Sequence, residues 1–138
     1  MQGTVRFEEI GPERNFDLQE LQERANHNAW NKNRKQYRVW SGDRQVAFVT
    51  FDTCWEDELN LYEVFVARQY RGQVIGTVIV QFAADLGKQM GKPRLTIRAR
   101  PLSDQSQSEL IAWYVRRGLI PREGEPEFLV MELSPQVG

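Results

Sequence analysis

The stretch Arg68-Gln69-Tyr70-Arg71-Gly72-Gln73-Val74-Ile75-Gly76-Thr77 stands between a run of strand-forming residues and a long helical stripe. The first amides of a helix have no intrahelical partner. Here they would point at whatever sits above the strand end, backed by the positive end of the helix dipole and flanked by Arg68 and Arg71. That combination suits a phosphate or pyrophosphate, and Gly72 and Gly76 let the backbone come close to it. Taken alone, an Arg-Gly turn before a helix is also an ordinary strand-to-helix connection. Glu63 is a second group able to do chemistry. By strand alternation it shares a face with Leu59, Leu61 and Phe65, and apolar surroundings raise a carboxyl pKa toward neutrality, where the group serves as a base. A salt bridge at a strand end is the other reading of Glu63.

Other reactive side chains offer less. The only histidine, His27, lies in a polar helical segment and reads as solvated. Cys54 is the single cysteine, with no His-Asp pattern to make it a nucleophile and no partner for a disulfide. One Cys and one His cannot build a zinc site, and Glu56-Asp57-Glu58 lacks the spacing of a calcium loop, so no metal is expected. That acidic run reads as a solvated loop. Trp30 and Trp55 fall in polar segments, as residues of a pocket or a dimer seam do.

The elements that must position these groups follow from periodicity. Thr4 to Ile10 reads as a first strand stopped by Gly11-Pro12, and Leu18, Leu21 and Ala25 mark an amphipathic helix from Phe16 to about Asn33. Tyr37–Ser41 and Gln45–Phe51 form a hairpin about Gly42-Asp43. Leu59–Val66, dense in apolar residues, reads as a central strand buried on both faces. Ile75, Val78, Ile79, Phe82, Ala83, Leu86 and Met90 make a sustained helical stripe ending near Gly91 and Pro93, and Leu95–Ala99 is the next strand. Leu59 to Ala99 is therefore a β-α-β unit with parallel strands, and the fold class is α/β. Ser106-Gln107-Ser108-Glu109 has the form of a capping box opening a helix over Leu110, Ile111, Tyr114 and Val115 that Gly118 closes. Leu119-Ile120 and Phe128–Leu133 are the last strands.

Composition narrows the setting. The 138 residues are 41% hydrophobic and 27% charged, a globular balance for one domain. Eighteen basic against nineteen acidic side chains give a net charge of −1, so no nucleic acid or anionic membrane is expected as a partner. No apolar run approaches spanning length and the first residues lack a signal-like core, which together with the lone cysteine implies a cytoplasmic protein.

Arg71-Gly72-Gln73-Val74-Ile75-Gly76 resembles the acyl-CoA-binding motif of the GNAT superfamily of N-acetyltransferases, commonly written Arg/Gln-x-x-Gly-x-Gly/Ala. Leu110 to Leu119 is similar to the family's helix that carries a tyrosine just before a Gly-apolar turn. The element order β-α-β-β-β-α-β-α-β-β extends the resemblance over nearly the whole chain. It implies a single domain, 1–138, with a mixed sheet of about six to seven strands, helices on both faces and a parallel pair splayed at the acyl-CoA site. It implies acetyl-CoA as cosubstrate, with backbone near Phe65 and Val66 pairing with pantetheine and Arg71 to Thr77 receiving the pyrophosphate. Gln107 stands where many members carry an asparagine that contacts the pantetheine arm. Tyr114 takes the role of the acid that protonates the departing thiolate, or is a core aromatic. The acceptor is a primary amine, and Glu123, Glu125 and Glu127 border it with a preference for a cationic one. A homodimer is also implied. Val74 departs from the motif where its first glycine usually stands, and is acceptable if the local φ is negative and the side chain turns away. Val74 and Gln107 motivate the alternative, an acyl-CoA-binding or interaction module that kept the fold and lost turnover.

Overall fold

The structure, a computed structural model, describes residues 4–71, 74–101 and 106–133. Its strands form one seven-stranded mixed sheet in the order β1-β2-β3-β4-β5-β7-β6, with three α-helices, so the α/β class and the element order agree with the pattern in the sequence. The chain divides into two compact units, Met1–Cys54 with Tyr62–Ile79, and Trp55–Leu61 with Val80–Gly138.

In the first unit, β1 (Val5–Ile10), β2 (Arg34–Ser41) and β3 (Arg44–Asp52) run antiparallel, from Val5 opposite Ser41 to Ile10 opposite Gln36 and from Ser41 opposite Arg44 to Arg34 opposite Asp52. The two-residue loop between β2 and β3 puts Gly42 at φ 61°, a left-handed value that glycine adopts without a Cβ clash. Every residue from Gln45 to Phe51 is buried, and the fully enclosed Phe48 and Phe51 rings each contribute about 1.5–3 kcal/mol by leaving water.

Helix α1 (Gln19–Asn26) is shorter than the expected span from Phe16 to about Asn33. Its stripe is the expected one, with Leu21 and Ala25 at 0% exposure. The early stop has a local cause. The Asn28 amide donates to the Arg24 carbonyl at 2.9 Å, and Arg14 Nη1 donates to the carbonyls of Ala25, at 2.5 Å, and of Asn28. These donors fill the acceptors that a further helical turn would have used, and the Arg14 cation sits at the negative end of the dipole. Trp30 consequently lies beyond the helix and is exposed.

Strand β4 (Leu59–Val66) is central, between β3 and β5. It is not buried on both faces as expected: Leu59, Leu61 and Phe65 are buried, whereas Asn60, Tyr62, Val64 and Val66 on the alternate face are half-buried. That face is polar where it packs. The Arg34 guanidinium lies 4.7 Å from the Tyr62 ring centroid, and the Asn60 amide donates to Thr96 Oγ1 at 3.0 Å.

In the second unit, Leu59–Leu61 pair in parallel with Leu95–Ile97 of β5 (Arg94–Arg98), the parallel pair the sequence implied. Strand β7 (Glu125–Glu132) runs antiparallel to β5, and β6 (Ile120–Arg122) antiparallel to β7. Helix α2 (Ile75–Gln89) buries Val80, Ala83 and Ala84 here. Its Gly87 permits close approach, since an added Cβ would stand 2.5 Å from Leu133 Cδ1. Helix α3 (Gln107–Val115) starts as the capping motif predicts, Ser106 Oγ accepting from the Glu109 amide at 3.1 Å, and packs on β7 and β6. Gly118, at φ 98°, follows its last turn.

The acidic run before β4 is not simply solvated. Asp57 pairs with Arg94 at 3.1 Å, and Glu58 accepts from the Thr96 hydroxyl.

Candidate active site

In the first unit, β4 ends at Val66, a single 3-10 turn covers Arg68–Tyr70, and α2 opens at Ile75. Arg71 folds back onto the strand it leaves: its Nε donates to the Val66 carbonyl at 2.9 Å and its guanidinium lies 5.2 Å from the Phe65 centroid. Gly72 and Gln73 lie outside the described residues. The Val78 amide donates to the Val74 carbonyl at 3.0 Å, and Ile75, Gly76 and Thr77 form the first turn, at the positive end of a 15-residue helix. Val74 is 52% exposed at this helix start. Ile75 is buried and anchors the helix start, Gly76 is half-buried, and Thr77 is exposed.

Glu63 stands two residues before Phe65 on the same face of β4, but its surroundings are not the apolar ones expected. Its Oε1 lies 3.2 Å from Arg24 Nε, and its Oε2 accepts from the Asn28 amide. The physical reason is α1 and the turn that follows it, which bring Arg24 and then Asn28 onto this face. Asn28 is only 4% exposed and is itself held, its carbonyl accepting from the Gln36 amide at 3.0 Å and from Arg14. Arg24 also stacks on Phe65, with its guanidinium carbon 4.9 Å from the ring centroid. Phe65 is thereby in cation–π contact with both Arg24 and Arg71. Sequence reasoning missed Arg24 and Asn28. The available signal was that Asn28 continues the buried stripe of Leu21 and Ala25 at helical spacing, a polar residue on an inward face.

In the second unit, Tyr114 occupies the last turn of α3. It is buried, stands edge-on to Trp113 with centroids 5.2 Å apart, and among the described residues no hydrogen bond reaches its hydroxyl. Burial pushes the phenol up to about 12, so it stays protonated at neutral pH. Gln107 donates its side-chain amide to the Ala99 carbonyl at 3.3 Å, closing the start of α3 against the end of β5. Glu125 pairs with Arg122 at 3.6 Å, and Glu123 is exposed. A separate cleft of about 390 Å³ is lined by Glu58, Arg94, Thr96, Ile120, Val130 and Glu132, together with Pro121 and Arg122, and none of the site residues expected from the sequence borders it. No group of three metal-ligating side chains occurs among the described residues, and no described helix is long and apolar enough to cross a membrane.

A parallel strand pair, a strand-to-helix turn and a tyrosine at the end of a later helix thus occur in that chain order. Residues 5–119 match the family model of the acetyltransferase (GNAT) family. The chain belongs to this family. GNAT members also supply its structural likenesses. A GNAT family acetyltransferase from Elizabethkingia anophelis with acetyl-CoA bound superposes with a TM-score of 0.67 at 14% identity, over 94% of this chain and 98% of that one. A Bacillus cereus protein described as an IAA acetyltransferase gives 0.65 at 19% identity, over 94% and 100%. A complex named AtaTR, bound with acetyl-CoA, gives 0.66 at 17% identity, over 93% and 92%. At such identities the likeness is one of fold. No curated protein sequence matches the chain.

Proposed function

We propose that this GNAT domain, read as one domain over residues 1–138, transfers an acetyl group from acetyl-CoA directly to a primary amine of a small molecule or peptide. The observation that carries the reading is the connection from β4 to α2. There a 15-residue helix begins after a strand and a single 3-10 turn, with Val74, the one departure from the family motif, 52% exposed, and a helix start of this kind suits a pyrophosphate. Two structural neighbours whose descriptions name bound acetyl-CoA support the same ligand.

In this reading Arg71, Gly72, Gln73, Ile75, Gly76 and Thr77 surround the pyrophosphate. The parallel ladder to β5 covers Leu59–Leu61 only, so Phe65 and Val66 lie beyond it and offer backbone to pantetheine. Gln107 has its amide nitrogen on Ala99 and keeps its amide oxygen for the pantetheine arm. A neutral amine attacks the thioester carbonyl, the carbon–sulfur bond breaks, and the thiolate takes a proton from Tyr114. The amine's surplus proton leaves toward Glu63 or water. Each Glu63 oxygen has one protein partner and keeps a second lone pair for that proton.

Thermal unfolding with acetyl-CoA is the test. Saturation at a hundred times the dissociation constant adds about 2.7 kcal/mol to the native state and raises the midpoint by several degrees. CoA release from an amine panel then tests transfer. A shift without CoA release on any amine would leave an acyl-CoA-binding module, and no shift at millimolar ligand would reject the cofactor site.

A further inference from the structure

Arg24 is held at two of its three aspects. Its Nε edge faces Glu63 at 3.2 Å and its plane lies over Phe65 at 4.9 Å, while no described residue meets its Nη edge. The Arg24 side chain keeps 36% of its surface exposed and that of Glu63 keeps 19%, so both reach solvent at the same place. The Nε–H itself is buried without an aligned acceptor, because the contact to Glu63 satisfies the distance of an ion pair and not the angle of a hydrogen bond. A guanidinium fixed in this way presents a two-donor fork suited to one planar anionic group.

Beside that fork stands a carboxylate of opposite sign, locked by the buried Asn28. A dianionic phosphate would satisfy the fork and be repelled by Glu63. A plain ammonium would satisfy Glu63 and be repelled by Arg24. A molecule carrying a carboxylate one carbon from its amine matches both.

Resting on the transferase reading above, we propose that the acceptor is a zwitterionic α-amino acid, its carboxylate taken by the Nη edge of Arg24 and its ammonium group by Glu63. Arg24 is then a specificity-determining residue, and Asn28 is a positioning residue acting through Glu63. The pair also explains why a strand residue adjacent to the expected pantetheine contacts is tied to a helix residue of opposite charge: together they form the two poles of a receptor.

The test is calorimetric titration of the CoA-saturated protein with leucine, lysine and phenylalanine, each against its decarboxylated counterpart isoamylamine, cadaverine or phenethylamine. The best amino acid should bind at least about tenfold tighter than its amine, the equivalent of one bidentate charge-assisted contact. Arg24→Gln should erase that difference while leaving the acetyl-CoA melting shift intact. Should Arg24→Gln fail to fold, Arg24→Lys keeps the charge toward Glu63 and removes the fork, and should also lose the preference. Amines binding as tightly as amino acids would overturn the proposal. So would a variant that loses acetyl-CoA affinity and keeps amino-acid binding, which would assign the fork to a cofactor phosphate. If acetyl-CoA gives no melting shift, the transferase reading fails on its own, and the same titration of the ligand-free protein still decides whether the amino-acid receptor exists.

Discussion

Glu63 and Tyr114, the two titratable groups with expected parts in the transfer, sit in opposite circumstances. Glu63 reaches solvent and has protein partners on both oxygens, whereas Tyr114 is buried and its hydroxyl has no hydrogen bond among the described residues. A polar group that the protein holds at both oxygens is oriented for recognition. A tyrosine whose ring is buried and whose hydroxyl no described residue occupies keeps that hydroxyl available to a ligand. On the proposed transfer, the contrast assigns Glu63 to binding and Tyr114, protonated at neutral pH, to donation.

The largest effect should follow from removing the Tyr114 hydroxyl. Tyr114→Phe should lower turnover by at least about a hundredfold, the usual scale of a general acid, with acetyl-CoA affinity nearly unchanged. Steady-state kinetics beside a binding titration would show it, and unchanged turnover would return Tyr114 to the role of a core aromatic.

The same phenol should be visible without substrate. Its folded pKa of about 12 lies above the unfolded value of 10.0, so its contribution is fully present below pH 10 and is lost as pH rises through 12. The loss across that window is on the order of a few kcal/mol. Tyr37, raised to about 12 by burial and then by the charge of Glu9, titrates in the same range. Denaturant unfolding between pH 9 and pH 12 should show stability falling, and Tyr114→Phe should flatten that fall without abolishing it.

On the satisfied side the expected loss is structural. Asn28→Ala removes the donor to Glu63 and to the end of α1, and should cost about 2 kcal/mol, read as a lower melting temperature. A neutral result would mean that Glu63 and the helix end find other donors, and the contrast with Tyr114 would lose one side. The smallest effect belongs to the pyrophosphate turn. Gly76→Asp places negative charge at the start of α2 and should weaken acetyl-CoA by about tenfold while folding stays intact. Undiminished affinity would place the phosphates elsewhere.

Much of this arrangement was legible in the sequence because it depends on neighbours along the chain. The β-α-β unit from Leu59 to Arg98, the serine cap of α3 and the stop at Gly118 rest on periodicity and on turn chemistry within a few residues. The setting of Glu63 was not legible, since Arg24 and Asn28 reach it from 39 and 35 positions earlier in the chain. Alternation correctly placed Glu63 with Leu59, Leu61 and Phe65 but cannot say what packs over that face. The ends of α1 were misread for a related reason. The residues after Asn26 are compatible with further helix by pattern, and it is Arg14, twelve positions before Asn26, that closes the carbonyls.

That closure has a dynamic consequence. Arg14 is further tied to the helix because its own carbonyl accepts from Gln22 at 2.9 Å, so the segment before α1 is laced to the middle and the end of the helix at once. Amides of the last turn of α1 should then exchange with deuterium only when the whole strap opens, with uniform protection from Gln22 to Asn26 in place of fraying. A receptor built on so closed a helix gives up little conformational entropy when its ligand arrives.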